Sequence, residues 1–205
     1  MNKQVTLTPQ SDADGICASQ TPAGAGNLTI AGALASTGTV TLNHGHLVLI
    51  TCAGADAGRT FTITGTDFRG ETITEAISGS DAGTSQGSSY FKSITQVAVD
   101  AATADAITIG VNGLSASNWY PLDIYKKPFD VSLSVVLSGT TTYTIQHTFD
   151  DVQVLTDLNS ISTFNHASLA AKTVSDDGNY AYPCVATRII LTSYTSGTTK
   201  FTVIQ

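Results

Sequence analysis

Val131-Ser-Leu-Ser-Val-Val-Leu-Ser138, followed after Gly139-Thr140 by Thr141-Thr-Tyr-Thr-Ile-Gln-His-Thr-Phe-Asp-Asp151, decides the fold of this chain. Val131, Leu133, Val135 and Leu137 fall on one side of the first run, and Tyr143, Ile145, His147 and Phe149 on one side of the second. A matching pair closes the sequence: Arg188-Ile-Ile-Leu-Thr-Ser-Tyr194 turns at Ser196-Gly197 and returns as Lys200-Phe-Thr-Val-Ile-Gln205. Period-two alternation between glycine-containing turns gives each strand one apolar row, as a half-buried antiparallel sheet requires. A chain whose last residues lie inside a strand has that end tied into a sheet.

The same rhythm extends back to Asn27. Leu28-Thr-Ile30, Thr39-Val-Thr-Leu42, Leu47-Val-Leu-Ile-Thr51 and Thr60-Phe-Thr-Ile-Thr64 are short strand candidates, with Phe61 and Ile63 sharing a face. Glu71 to Ile77, Tyr90 to Val99 and Ala106 to Gly110 continue the series, whereas Ser78 to Ser89 reads as loop. Strands at roughly ten-residue intervals indicate a sandwich or barrel. Before Asn27, Val5-Thr-Leu-Thr8 is a strand candidate cut by Pro9, which suits an arm or edge strand. Ser11 to Gly15 reads as a turn. Between Gly113 and Phe129 the character changes, with Trp119, Tyr120, Pro121, Tyr125 and the pair Lys126-Lys127 marking a connector that packs. The later insertion, Val152 to Val185, offers one helical turn at Asn165 to Ala171 and a turn at Asp176-Asp-Gly-Asn179. The expected fold is all-β: an N-terminal arm (1–14), a β-sandwich domain (15–115), a connector (116–128) and a C-terminal β-sandwich domain (129–205), each sandwich jelly-roll or Ig-like.

Composition limits the function. Hydrophobic residues make up 41% of the 205, but charged residues only 12%, about half the usual ~25%. Thr, Ser, Gly and Ala fill the gap, and Thr suits strands because its branched Cβ fits the pleat while its hydroxyl tolerates water. Nine Lys and Arg against a net charge of −7 cannot neutralise a run of phosphates, so direct nucleic-acid binding is not expected. No apolar run approaches the roughly 20 residues of a membrane helix, and no basic-then-apolar signal opens the chain; synthesis in a cytoplasm without export is the expectation. Cys17, Cys52 and Cys184 are widely spaced and read as isolated thiols.

No motif carries chemistry convincingly. Gly83-Thr-Ser-Gln-Gly87 fits the G-x-S-x-G elbow, but that elbow needs a strand before it and a helix after it, and this match sits in a Gly/Ser/Thr stretch. His44-Gly-His46 lacks the second half of a zinc site. Asp12-Ala-Asp14-Gly15, Asp150-Asp151 and Asp176-Asp177-Gly178 lack the further oxygens of a calcium loop and match ordinary turn chemistry. His147 falls in the row of Tyr143 and Ile145 and reads as a sheet histidine. No sustained helical periodicity offers an enzyme scaffold such as a Rossmann fold. The expectation is a non-enzymatic protein with no cofactor and no metal.

Two sets of segments carry a family resemblance. One is Asp14-Gly-Ile-Cys-Ala-Ser-Gln-Thr-Pro-Ala-Gly-Ala-Gly-Asn-Leu-Thr-Ile30 with the Phe61 to Gly70 hairpin; the other is Tyr143-Thr-Ile-Gln-His-Thr-Phe-Asp-Asp151 with the Ile189 to Gln205 hairpin. They span most of the chain, and it resembles virion structural proteins of tailed bacteriophages. The resemblance implies a capsid decoration (cement) protein on the outer surface of the virion, with the major capsid protein as partner and no catalytic residues. Its second implication is a tail or head-to-tail component; beside it stands the expectation of a tail or baseplate module that recognises a host glycan through Trp119, Tyr120 and Tyr125. A homo-oligomer is expected, a trimer ahead of a dimer, with Trp119, Tyr120, Tyr125, Phe129 and Phe201 as the candidate interface.

Overall fold

The computed structural model describes residues 2–205. In chain order its strands are β1 (Asn2–Leu7), β2 (Ser11–Gln20), β3 (Gly26–Asn27), β4 (Ala35–Ser36), β5 (Thr39–Ala55), β6 (Thr60–Thr66), β7 (Thr72–Ser78), β8 (Asp81–Gln86) and β9 (Phe91–Val99). There follow β10 (Ile107–Ala116), β11 (Tyr120–Pro121), β12 (Val131–Ser138), β13 (Thr141–Thr148), β14 (Phe164–Asn165), β15 (Asp176–Tyr180), β16 (Ala186–Tyr194) and β17 (Thr198–Ile204). Among the described residues the only helical element is a 3-10 turn, Leu158–Ser160, and none is long and apolar enough to cross a membrane. The all-β, sandwich-like reading of the sequence is what the chain adopts.

Two compact units form: Gln10–Gly113, and residues 2–9 together with Leu114–Gln205. In the first, β6 pairs with β7 and β9, and β5 with β8 and β9. Phe61 and Ile63 are fully buried between half-exposed threonines, as their alternation requires. Thr39–Ala55 is one long strand rather than two, because a register shift between Thr41 and His46 absorbs the His44-Gly45 bend. Lys92 Nζ donates to the carbonyls of Leu42 and Asn43 at that bend.

In the second unit β1, β17, β12 and β15 form one sheet in that order. The other sheet is β14, β13 and β16, with β11 and Ala116 also on β16. Val131, Leu133, Val135, Phe201, Val203 and Leu7 meet Tyr143, Ile145, Ile189 and Leu191 in a closed core.

Several sequence readings are corrected, among them the turn at Ser11 to Gly15, which lies within β2. Residues 2–14 form no arm: Asn2–Leu7 pairs along its whole length with β17, and Ser11–Gln20 is a strand of the other unit; Met1 lies outside the described residues. Leu7 is fully buried, so β1 supplies a core side chain that a free arm would leave in water. Asp81–Gln86 is a strand on β5 rather than loop. Asp176–Tyr180 is a strand on β12 rather than a turn, since an edge strand tolerates polar side chains where every second one faces water. No helical turn forms at 165–171; Phe164-Asn165 pairs with β13 instead.

The turns after β12 and β16 abut. Gly197 (φ +94°) would place a Cβ 1.5 Å from the Ser138 carbonyl oxygen, and Gly139 (φ +101°) one 2.4 Å from that of Ser196. Gly70 also has positive φ (+86°) but meets only open space. Gly70→Ala should therefore cost about 1–2 kcal/mol, the left-handed penalty alone. Gly197→Ala should cost clearly more, and urea midpoints of the two variants check the order.

Candidate functional site

The inward rows of the C-terminal unit do not stop where its core stops. On β13, Tyr143 and Ile145 are buried, His147 is nearly so, and Phe149, two residues further, is 52% exposed. From the facing sheet, Tyr180 ends β15 in the core and Tyr182, again two residues on, is 49% exposed. Phe164 (50% exposed) is brought alongside by pairing of β14 with β13, directly opposite His147. The imidazole of His147 is the hub of these rings: it stacks on Phe164 at 5.7 Å and meets Phe149, Tyr180 and Tyr182 edge-on at 5.6, 5.0 and 5.9 Å. Phe149 and Phe164 also meet edge to face at 5.6 Å. These offset and T-shaped geometries are the favoured ones for aromatic pairs.

The support beneath is polar and fixed. His147 Nε2 lies 3.4 Å from the Tyr182 hydroxyl, and its Nδ1 is buried with no hydrogen-bond partner. Burial, and then the nearby His166, lower the pKa of His147, so the hub is held neutral. His166 Nδ1 accepts from the Ser168 amide at 3.2 Å, which leaves the proton on Nε2 to donate to the Asn179 carbonyl, also at 3.2 Å. Its ring packs on Tyr180 at 4.9 Å. Three half-exposed rings rest on this base. Given 150–250 Å² per aromatic side chain, on the order of 300 Å² of ring surface remains to be covered, worth about 7 kcal/mol gross at ~25 cal/mol per Å².

The five residues expected as an interface are scattered by the fold. Phe201 is fully buried in the core, and Phe129 packs against that core. Trp119 is 4% exposed, with the Arg188 guanidinium 4.5 Å above its ring; Arg188 Nε in turn donates to Gln146 Oε1 at 3.0 Å. Tyr120 packs on Phe201 at 6.2 Å. Trp119 and Phe201 therefore have no surface left to give a partner, because the sandwich uses both aromatics for itself. Tyr125 alone presents a ring, 85% exposed, beside a groove of about 330 Å³ lined in part by Leu122, Val152, Val185, Asp151 and Gln153. Of the residues in the aromatic surface, His147 and Phe149 were visible as a strand row; Phe164 gave no signal, because the apolar residues of the 152–185 insertion follow no period-two alternation.

The remaining motifs resolve structurally. Ser85 of the G-x-S-x-G match lies on β8 opposite Ile50, with strand and loop around it and no helix after it. Among the described residues no three His, Cys, Asp or Glu converge as a metal site. Cys17, Cys52 and Cys184 are buried free thiols, and burial pushes Cys17 and Cys184 up to about 12. No protein-family model matches the chain, and no curated protein matches it.

His44 and His46 carry a pH dependence instead of a metal. His46 is fully buried, with Nε2 3.0 Å from Asn43 Oδ1 and Nδ1 unpartnered. Burial, and then Lys92, lower His44 from 6.5 to about 4; burial, then His44 and Lys92, lower His46 to about 3. The unfolded chain binds protons below pH 6.5 that the folded chain refuses, so stability falls as pH drops from 6.5 toward 4 and is unaffected by these groups above 6.5. Urea midpoints between pH 6.5 and 5 should decline, with a limiting slope near 1.4 kcal/mol per pH unit for His46 alone, and His46→Gln should flatten that decline.

Proposed function

We propose that this chain is a non-enzymatic virion structural protein of a tailed bacteriophage, a decoration (cement) protein that docks on the major capsid protein through the aromatic surface of its C-terminal unit. One observation carries the reading. All nine exposed large apolar side chains of the described residues, Phe149, Phe164 and Tyr182 among them, belong to the unit of residues 2–9 and 114–205; Gln10–Gly113 exposes none. Contiguous exposed apolar surface marks interaction sites, and rigid aromatic anchors dominate protein interfaces because they bury large area at small entropic cost. Two of the three rings are phenylalanines, which have no polar edge to meet sugar hydroxyls and so favour a protein partner. Low charge lowers the desolvation cost of broad contacts, and net acidity suits an outer surface away from packaged DNA.

The alternative is a tail, baseplate or head-to-tail component that carries a host-glycan module. Tyr125, exposed beside a groove that offers Asp151 and Gln153, is the observation in its favour. Purified undecorated heads and purified tails, each titrated with the protein, separate the two. Binding to heads, weakened at least ~10-fold by Phe164→Ser with the fold intact by circular dichroism, is the expected result. Binding to tails alone, or a glycan response lost in Tyr125→Ala, would transfer the assignment.

A further inference from the structure

The sheet β1-β17-β12-β15 has an outer face with an unusual composition. The register puts Asn2, Gln4 and Thr6 of β1 opposite Ile204, Thr202 and Lys200 of β17, and those in turn opposite Ser132, Ser134 and Val136 of β12. Ser134 pairs with Asp177 and Ser132 with Asn179 on β15. Every one of these side chains is exposed or half-exposed, and Val136 and Ile204 are among the exposed large apolar residues. Within the paired residues of the face the only charges are one Lys200 and one Asp177.

We propose that this face docks on the same face of a second copy of the chain, about a twofold axis passing over β12 between Ser134 and Val136. Three features support self-pairing. Lys200 and Asp177 are two strands and two residues apart, about 12 Å at ordinary sheet spacing, too far to neutralise each other within one copy. A twofold axis that lies in the interface over their midpoint, perpendicular to the line joining them, sets each Lys200 on the other copy's Asp177, so the two charges of the face are satisfied twice by one operation. Ser, Thr, Asn and Gln each donate and accept hydrogen bonds, so a face built from them complements itself, whereas a single-sign charged face repels itself. Val136, next to the axis, then meets its own counterpart and gives the contact an apolar centre. Four strands about 20 Å long offer on the order of 400 Å² per copy, roughly half the ~800 Å² per partner of a stable complex. The dimer is therefore weak in dilute solution and grows with concentration.

A single introduced cysteine tests this. The three native thiols are at most 2% exposed, so Val136→Cys adds the one accessible thiol, at a half-exposed position that tolerates it. At about 200 µM protein with diamide as oxidant, V136C should form a disulfide-linked dimer at least ~10-fold faster than an Ala33→Cys control placed in the other unit. Adding Lys200→Asp alone or Asp177→Lys alone should bring the rate down to that of the control, and the double swap should restore it. Cross-linking of V136C at the control rate, indifference to either single reversal, or failure of the swap to restore it would each overturn the proposal. Adding Phe164→Ser to V136C should leave cross-linking unchanged, which keeps this face separate from the aromatic docking surface. Sedimentation of the cysteine-free-surface parent and its charge variants at the same concentration gives a second measurement: average mass rises for the parent and the double swap, and stays monomeric for either single reversal.

Discussion

A pleated strand can hand only every second side chain to a core, and in this chain that restriction governs both what is buried and what is left outside. With so few charged residues, the alternate positions go to Thr, Ser and Gly rather than to Lys and Glu. The result is a sandwich whose inner rows are tightly apolar, from Leu7 through Phe201 to Tyr143, and whose outer rows are small and neutral. The two-residue spacing carries on past the strand ends, β13 closing at Thr148 and β15 at Tyr180. Phe149 and Tyr182 are the next inward positions after His147 and Tyr180, and they emerge into solvent. The aromatic surface is thus an extension of the core rather than an addition to it, which is why its rings are so firmly seated.

This also explains which parts were legible in the sequence. Rows such as Val131-Leu133-Val135 and Tyr143-Ile145-His147 announce their strands because burial on one face enforces the pattern. Edge strands feel no such enforcement. Asp176–Tyr180 and Asp81–Gln86 are held by backbone pairing to β12 and β5, and their side chains carry turn-like chemistry because water covers them. Asn2–Leu7 was split between edge strand and arm for the same reason, with only Val5 and Leu7 to mark an inner face. Aromatics misled in the other direction. Trp119 and Phe201 look like interface anchors by residue type, yet each is consumed within the fold, Trp119 under Arg188 and Phe201 at the centre of the core. Residue type states how much area a side chain can bury and says nothing of whether its own chain or another covers it.

Polar groups inside the sandwich set a second constraint. His46 and His147 each hold one ring nitrogen away from water without a partner, and such groups cost free energy that apolar residues would not. At both places the neutral imidazole serves a shape. His46 lies at the bend where β5 shifts register, and His147 touches four rings at once. A protonated imidazole at either site would have no carboxylate to meet it among the hydrogen-bond partners described above, so the neutral state and the packing depend on each other.

The two surfaces of the C-terminal unit differ in kind, and the difference has a consequence for assembly. The aromatic surface offers deep apolar anchors suited to one partner of complementary shape, while the β1-β17-β12-β15 face is flat, neutral and nearly self-complementary. A contact of the second kind is weak between free molecules in dilute solution. If the first surface holds many copies at fixed spacing, however, the second becomes an intramolecular event, with an effective concentration set by the lattice rather than by the solution. In that case each copy, already ordered by its anchor, would lose little further freedom on meeting its twofold mate. A low-charge outer face is what that geometry needs, since identical copies brought together at high density would repel through any excess of one sign, and a face with one Lys200 and one Asp177 carries none.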